Sequence, residues 1–195
     1  MTTYVVATFN RDKARELAAL LAAPGRRLRF LDEFAGATAP EETGATLIEN
    51  ARIKALAAVA ATGLPAIADD TGLEVDALDG APGAHAARFA GPRATYADNV
   101  ALLLERLRGV PPARRTARFR SVCVARFPDG SERVGGGVIE GRITDAPRGA
   151  HGFGYDPVFE IIELGRTLAE LDASSKNARS HRALAIRALA ARLEA

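Results

Sequence analysis

Asp69 and Asp70 stand side by side after the apolar run Ala66-Ile67-Ala68 and before Thr71-Gly72-Leu73. Two carboxylates at the end of a short strand repel each other and lose hydration, so something must compensate, most commonly a divalent metal. Other polar clusters accompany the pair. Thr8-Phe9-Asn10-Arg11-Asp12-Lys13 is a polar turn between a strand and a helix. The N–H groups and partial positive charge of a helix start attract phosphate, to which Thr8 and Asn10 add hydrogen bonds and Lys13 a full charge. It is not a Walker A loop, whose glycines and Lys-Ser/Thr pair are absent. An asparagine-capped helix with a solvated lysine fits the same residues.

Glu41-Glu42 lies in a loop before a helix. A glutamate from that loop and an aspartate from the strand suit a hard Mg²⁺ ion beside substrate phosphates, because Mg²⁺ keeps waters and takes only one or two carboxylates. One carboxylate can also orient an attacking water. An acidic surface loop and an aspartate-capped turn are the plainer readings. Phe153-Gly154-Tyr155-Asp156-Pro157 interleaves glycine with aromatics. Glycine lets backbone approach a ligand, and a flat ring offers a stacking face for a base. Lys176 and His181-Arg182 open the last helix, where cations oppose the helix dipole. That favours a ligand role over a solvated helix start. Together the clusters read as a metal-assisted nucleotide phosphohydrolase.

These residues need elements to hold them. Tyr4-Val5-Val6-Ala7 reads as a buried strand, and a helix from about Asp12 carries Ala14, Leu17, Ala18 and Leu21 on one face before Pro24-Gly25. Leu28 to Leu31 is a second strand. Thr46 with Glu49 forms a capping box for an alanine-rich helix that ends near Thr62, before Gly63-Leu64-Pro65. Ala66 to Ala68 is the strand bearing the acids, and Leu73 to Val75 continues extended. Thr95 with Asp98 caps a further helix, stopped by Gly109 and Pro111-Pro112. Ala117 to Phe127, the turn Pro128-Asp129-Gly130 and Ser131 to Val134 read as a hairpin. Gly135-Gly136-Gly137 implies a bulge or a close backbone approach. The last helix runs from about Ser180, with Leu184, Leu189 and Leu193 as its apolar contacts. Early alternation of strands and helices with a late hairpin predicts an α/β fold with a mixed sheet. No cut point divides the 195 residues, so a single domain is expected.

Composition narrows the class. The chain is 48% apolar and 26% charged, with a net charge of +2. Its basic residues are scattered without interleaved aromatics, which argues against nucleic-acid binding. One cysteine, Cys123, excludes an internal disulfide and a thiolate metal cluster. No apolar stretch is long enough to span a membrane. The start has no basic segment followed by an apolar block, so the cytoplasm is the expected compartment.

Six blocks in order carry a resemblance over essentially the whole chain: Thr8-Phe9-Asn10-x-x-Lys13; Glu41-Glu42-Thr43-Gly44 with Glu49-Asn50-Ala51-x-x-Lys54-Ala55; Asp69 to Leu73; Gly80-Ala81-Pro82-Gly83 with Ala87-Arg88-Phe89-Ala90-Gly91; Phe153 to Pro157; and Lys176-Asn177 with Ser180-His181-Arg182. The chain resembles the inosine triphosphate pyrophosphatase family, the Ham1-like pyrophosphatases of non-standard purine nucleoside triphosphates. That resemblance implies an α/β fold: an elongated mixed β-sheet with flanking helices, in two lobes with a nucleotide cleft between them. It implies Mg²⁺-dependent hydrolysis of ITP, dITP and XTP to the monophosphate and pyrophosphate, usually by a homodimer. Thr8, Asn10 and Lys13 would hold the phosphates. Glu41 and Asp70 would hold the metal, with Asp69 as a further candidate, and Asp70 would accept the proton. Thr71 would touch substrate. Phe153, Gly154, Tyr155, Asp156, Lys176, His181 and Arg182 would form the base pocket. The family usually has a small residue where this chain has Phe9, so that ring must point away from the phosphates.

Hypoxanthine and xanthine present a 6-oxo acceptor where adenine presents a donor. His181 and Arg182 can donate to it, so Arg182 is expected to favour ITP over ATP. A basic nucleic-acid-binding protein and an enzyme of similar fold acting on other modified nucleotides are the rival classes.

Overall fold

The helix and turn signals in the sequence become elements at nearly the expected places. The structure, a computed structural model, describes residues 1–194. The chain runs β1 (Thr2–Val6), α1 (Arg11–Leu21), β2 (Arg26–Phe30), α2 (Leu47–Thr62), β3 (Ala66–Val75), β4 (Pro82–Gly83), α3 (Tyr96–Arg106), β5 (Thr116–Arg126), β6 (Glu132–Ile143), β7 (Phe159–Ile161), β8 (Arg166–Thr167), α4 (Ala173–Arg179) and α5 (His181–Leu193), joined by short 3-10 turns. The Thr46–Glu49 and Thr95–Asp98 capping boxes form at the starts of α2 and α3. Gly63, at φ +67°, closes α2 in the left-handed conformation that glycine adopts without strain.

The strands make one mixed eight-stranded sheet in the order β2-β1-β3-β5-β6-β7-β8, with β4 paired to β3. β1 lies parallel to both β2 and β3, whereas β4, β7 and β8 pair antiparallel. Each parallel pair among the first three strands is bridged by a helix, as parallel pairing requires. The expectation of an α/β fold with a mixed sheet therefore holds.

Two compact units share the chain. The first comprises Met1–Asp70, Ser121–Gly137 and the residues from Arg182 on; the second comprises Thr71–Arg120 and Val138–His181. In the first unit one core joins Ile67 of β3 to Leu17 and Leu21 of α1 and to Ile186 and Leu189 of α5. A second core joins Ala66 and Ala68 of β3 to Ala51, Ala55 and Ala58 of α2. The second unit has its own core of Leu73, Val75, Leu103, Phe119, Phe159 and Leu168, among others.

Three expectations need correction. The aspartates are not at a strand end: β3 runs unbroken from Ala66 to Val75 and carries both in its interior. The return strand of the hairpin extends well past Val134, because β6 runs on through the triple glycine to Ile143. A Cβ on Gly135 would lie 2.3 Å from the Ala185 carbonyl oxygen and 2.4 Å from the Leu189 nitrogen, so glycine serves the close approach of α5. Leu184 is 37% exposed, and the contacts expected of it come from Ile186 and Leu189.

Candidate active site

Side chains alternate across a strand, so neighbouring residues of β3 face opposite layers. Asp69 shares the parity of Ile67 and therefore meets α1 and α5. Asp70 shares the parity of Ala66 and Ala68 and meets α2. Both are buried. On the α1 face, Lys13 Nζ lies 3.3 Å from Asp69 Oδ2. Arg182, at the start of α5, donates from Nε to the same oxygen at 3.1 Å. Arg182 Nη1 also donates to Glu16, one turn beyond Lys13 on α1. On the α2 face, Lys54 Nζ donates to Asp70 Oδ1 at 2.6 Å and lies 3.2 Å from Glu42 Oε1.

The two environments push the carboxylates apart. Burial alone would raise the Asp69 pKa, but the charges of Lys13, Arg182 and Lys54 outweigh it and hold the group well below the ordinary carboxylate range. Burial also raises Asp70, and here Lys54 and Lys13 offset it only in part, so its pKa stays above the ordinary value. Asp69 is thus a fixed anion and Asp70 the more basic of the two, as paired catalytic carboxylates are elsewhere.

The phosphate-loop candidates adopt the helix-capping geometry. Asn10 Oδ1 accepts from the backbone N–H groups of Asp12 and Lys13 at 3.0 and 3.1 Å, and Thr8 Oγ1 accepts from Asn10 N at 3.1 Å. These bonds fix the turn that delivers Lys13 to Asp69. Phe9 is 43% exposed, in keeping with a ring that points outward. Glu41 is exposed, and its neighbour Glu42 is the residue that reaches Lys54. Thr71 follows Asp70 in β3, half-buried.

In the second unit, Asp156 Oδ2 accepts from Phe153 N at 2.8 Å and from Lys176 Nζ at 2.5 Å. Lys176 Nζ also lies 4.9 Å from the Phe153 ring centroid, and Tyr96 packs on the same ring at 5.7 Å. Gly154 sits at φ +63° within this turn. Lys176 belongs to its own helix, α4, rather than opening the last one. His181 is buried and stacked on Phe119, with centroids 4.4 Å apart and planes 17° apart. Tyr155 is a core residue whose hydroxyl donates to the Ala86 carbonyl at 2.8 Å, which leaves Phe153 as the accessible ring of the motif.

The structure therefore sorts the candidates into two groups. Thr8, Asn10, Lys13, Glu41, Asp69, Asp70 and Arg182 belong to the first unit. Thr71, Phe153, Gly154, Tyr155, Asp156, Lys176 and His181 belong to the second. Lys176, His181 and Arg182 are all buried, so none of them is a solvated helix start.

A family model, the Ham1 family, matches residues 4–192. The chain belongs to the Ham1 family. The dITP/XTP pyrophosphatase of Geobacter sulfurreducens is 48% identical over 186 residues, covering 95% of this chain and 94% of that protein. A Thermus thermophilus protein of the same name is 49% identical over 185 residues, covering 95% and 88%. Among solved structures, a HAM1 protein from Coxiella burnetii superposes with a TM-score of 0.89 at 41% identity, covering 100% of this chain and 99% of that one. The Staphylococcus aureus Ham1 protein gives 0.87 at 37% identity, covering 99% and 98%.

In this Ham1 chain, sequence reasoning did not single out three charged neighbours of the aspartates: Glu16, Glu42 and Lys54. A signal for two of them was available. Glu16 lies three residues after Lys13 and so shares its helix face. Lys54 lies between Ala51 and Ala58 at helical spacing, on the buried face of α2.

Proposed function

We propose that this protein hydrolyses deaminated purine nucleoside triphosphates, dITP, ITP and XTP, to the monophosphate and pyrophosphate. The observation that carries the reading is the match to the Ham1 family over residues 4–192, with relatives named dITP/XTP pyrophosphatase at 48–49% identity; the parting of Asp69 and Asp70 onto opposite faces of β3 supports a hydrolytic site. Asp70 takes a proton from the attacking water. The oxygen of that water bonds to the α-phosphorus as the bond to the bridging oxygen breaks, and pyrophosphate leaves with the bond's electron pair. Lys13 supplies fixed positive charge to the phosphates, and the Asn10-capped turn presents N–H groups to them. Asp69 holds Lys13 and Arg182 in place.

Mg²⁺ fits the Asp70 side of the site. Asp70 Oδ2 is buried and accepts no hydrogen bond among the described residues, and a cationic nitrogen already lies between Asp70 and Glu42. Asp70 and a glutamate of the 41–42 pair would hold the ion. Among the described residues no group of three or more His, Cys, Asp or Glu is placed to hold a metal; Mg²⁺ beside phosphates needs only one or two carboxylates. When bound, it would neutralise charge on the phosphates and the leaving group.

For the base, Phe153 offers a stacking face, while Gly154, Asp156, Lys176 and His181 shape the polar surroundings. The family resemblance extends the proposal to a homodimer in the cytoplasm, and sedimentation measures the first of these. No helix among the described residues is long and apolar enough to cross a membrane.

The test is a triphosphate panel of ITP, dITP, XTP, GTP, ATP, dTTP and UTP with Mg²⁺, read as orthophosphate with and without added inorganic pyrophosphatase. Orthophosphate from ITP, dITP and XTP only when the helper enzyme is present is the expected result. Direct orthophosphate, or salt-dependent DNA binding without turnover, overturns the proposal.

A further inference from the structure

Asn50 lies in the first turn of α2 and is fully buried. Its Oδ1 accepts from the Gly44 N–H at 2.8 Å. Only the amide oxygen can face that donor, so the orientation of the carboxamide is fixed. Its Nδ2 has no hydrogen-bond partner among the described residues. Burying an amide with an unsatisfied N–H is unfavourable, and an apolar side chain of the same shape would avoid it. The asparagine is therefore explained by what its oxygen holds.

What it holds is the acidic loop. Gly44 packs so tightly on the start of α2 that a Cβ there would lie 2.6 Å from Glu49 Cβ and 2.7 Å from Asn50 Oδ1. The residues from Ala37 to Gly44 form no helix or strand, so no ladder or helical bond fixes their path. Glu42 is two residues before Gly44 and meets Lys54. Lys54 is four residues after Asn50, on the same face of α2 and one turn along. The loop is thus pinned by Asn50 at one turn, and its carboxylate is received by Lys54 at the next, where Lys54 also holds Asp70.

We propose that Asn50 is a positioning residue that acts through Glu42: it pins Gly44 so that the Glu42 carboxylate faces Lys54 and Asp70. This rests on the pyrophosphatase reading for its kinetic arm, but not for its exchange arm.

The experiment uses Asn50→Leu, which removes the acceptor and keeps the volume, and Asn50→Asp, which keeps an acceptor toward Gly44. Hydrogen exchange of the Gly44 amide is measured first, with no substrate present. Loss of one ordinary hydrogen bond predicts exchange about fivefold faster in Asn50→Leu, with Asn50→Asp close to wild type. Misplacing a group in a site by a fraction of its width predicts a loss of about 10-fold or more in kcat/KM for ITP in Asn50→Leu. In a Glu42→Gln background the same change should lose less than about twofold, because residues that act as one unit are not additive. Unchanged Gly44 exchange in Asn50→Leu overturns the proposal, and so do losses that add in full in the Glu42→Gln background. If Asn50→Leu does not fold, Asn50→Asp decides alone: exchange at Gly44 as fast as in unstructured chain refutes the tether. If the wild-type protein turns over no triphosphate, the pyrophosphatase reading fails while the exchange result still stands.

Discussion

Arg182→Ala separates two roles for a residue that sequence alone assigns to base recognition. Its guanidinium bridges Asp69 on β3 and Glu16 on α1. The Asp69 side chain is 0% exposed, while those of Lys13 and Glu16 retain 18% and 16%. After the substitution Glu16 can turn toward water, whereas the buried Asp69 keeps Lys13 at 3.3 Å and the charge of Lys54 but loses its guanidinium partner. Removing one partner of a buried ion pair costs about 3–5 kcal/mol, and the surviving Lys13 places this case near 3. In a chain of this size each kcal/mol moves Tm by about 2–4 °C, so the midpoint should fall by about 6–12 °C. The field that Arg182 exerts on Asp69 is the same whichever base is bound. The values of kcat/KM for ITP and ATP should therefore fall together, their ratio holding within about twofold. Thermal unfolding by circular dichroism and the two rate constants provide the measurement. An unshifted midpoint together with a collapsed ITP-to-ATP ratio would show that Arg182 reads the 6-oxo group, and the ion-pair reasoning would be wrong.

Asp70→Asn should lower kcat by roughly 10²-fold or more while leaving the unfolding midpoint near wild type, the scale of a lost positioned base; near-normal turnover would remove Asp70 from that role. Chelation of Mg²⁺ should stop turnover, and Glu42→Gln should raise the Mg²⁺ concentration for half-maximal rate more than Glu41→Gln does. The reverse order would return the metal role to Glu41. Gly135→Ala should destabilise by about 1–3 kcal/mol, since its Cβ has no room against α5; a denaturant midpoint equal to wild type would contradict the close approach.

Local signals were legible where a few neighbouring residues settle the outcome. Thr46 with Glu49, Thr95 with Asp98, and Asn10 before α1 are complete within three or four residues, and the helices start where they indicate. The Asp69-Asp70 pair stood out as chemistry for the same reason. The division of labour between them did not, because it depends on which helix covers each face of β3, and that is a long-range fact. The burial of Arg182 was hidden likewise: its partner Asp69 is 113 residues away in the chain. Tyr155 has the residue type of a ring for a base, but its hydroxyl donates to the Ala86 carbonyl in the core. Sequence spacing cannot distinguish a core tyrosine from a stacking one when the contact is so distant.

The unbroken course of β3 also bears on how this chain can change length. One residue inserted between Ile67 and Asp69 would exchange the layers that the two aspartates face, handing Asp70's place beside Lys54 to its neighbour. Two inserted residues would restore the original facing. Tolerance of insertions along this segment should therefore alternate between odd and even lengths, a pattern that a deep insertion library selected for activity would reveal. In the 79–81 turn, between β3 and β4, no such alternation is expected.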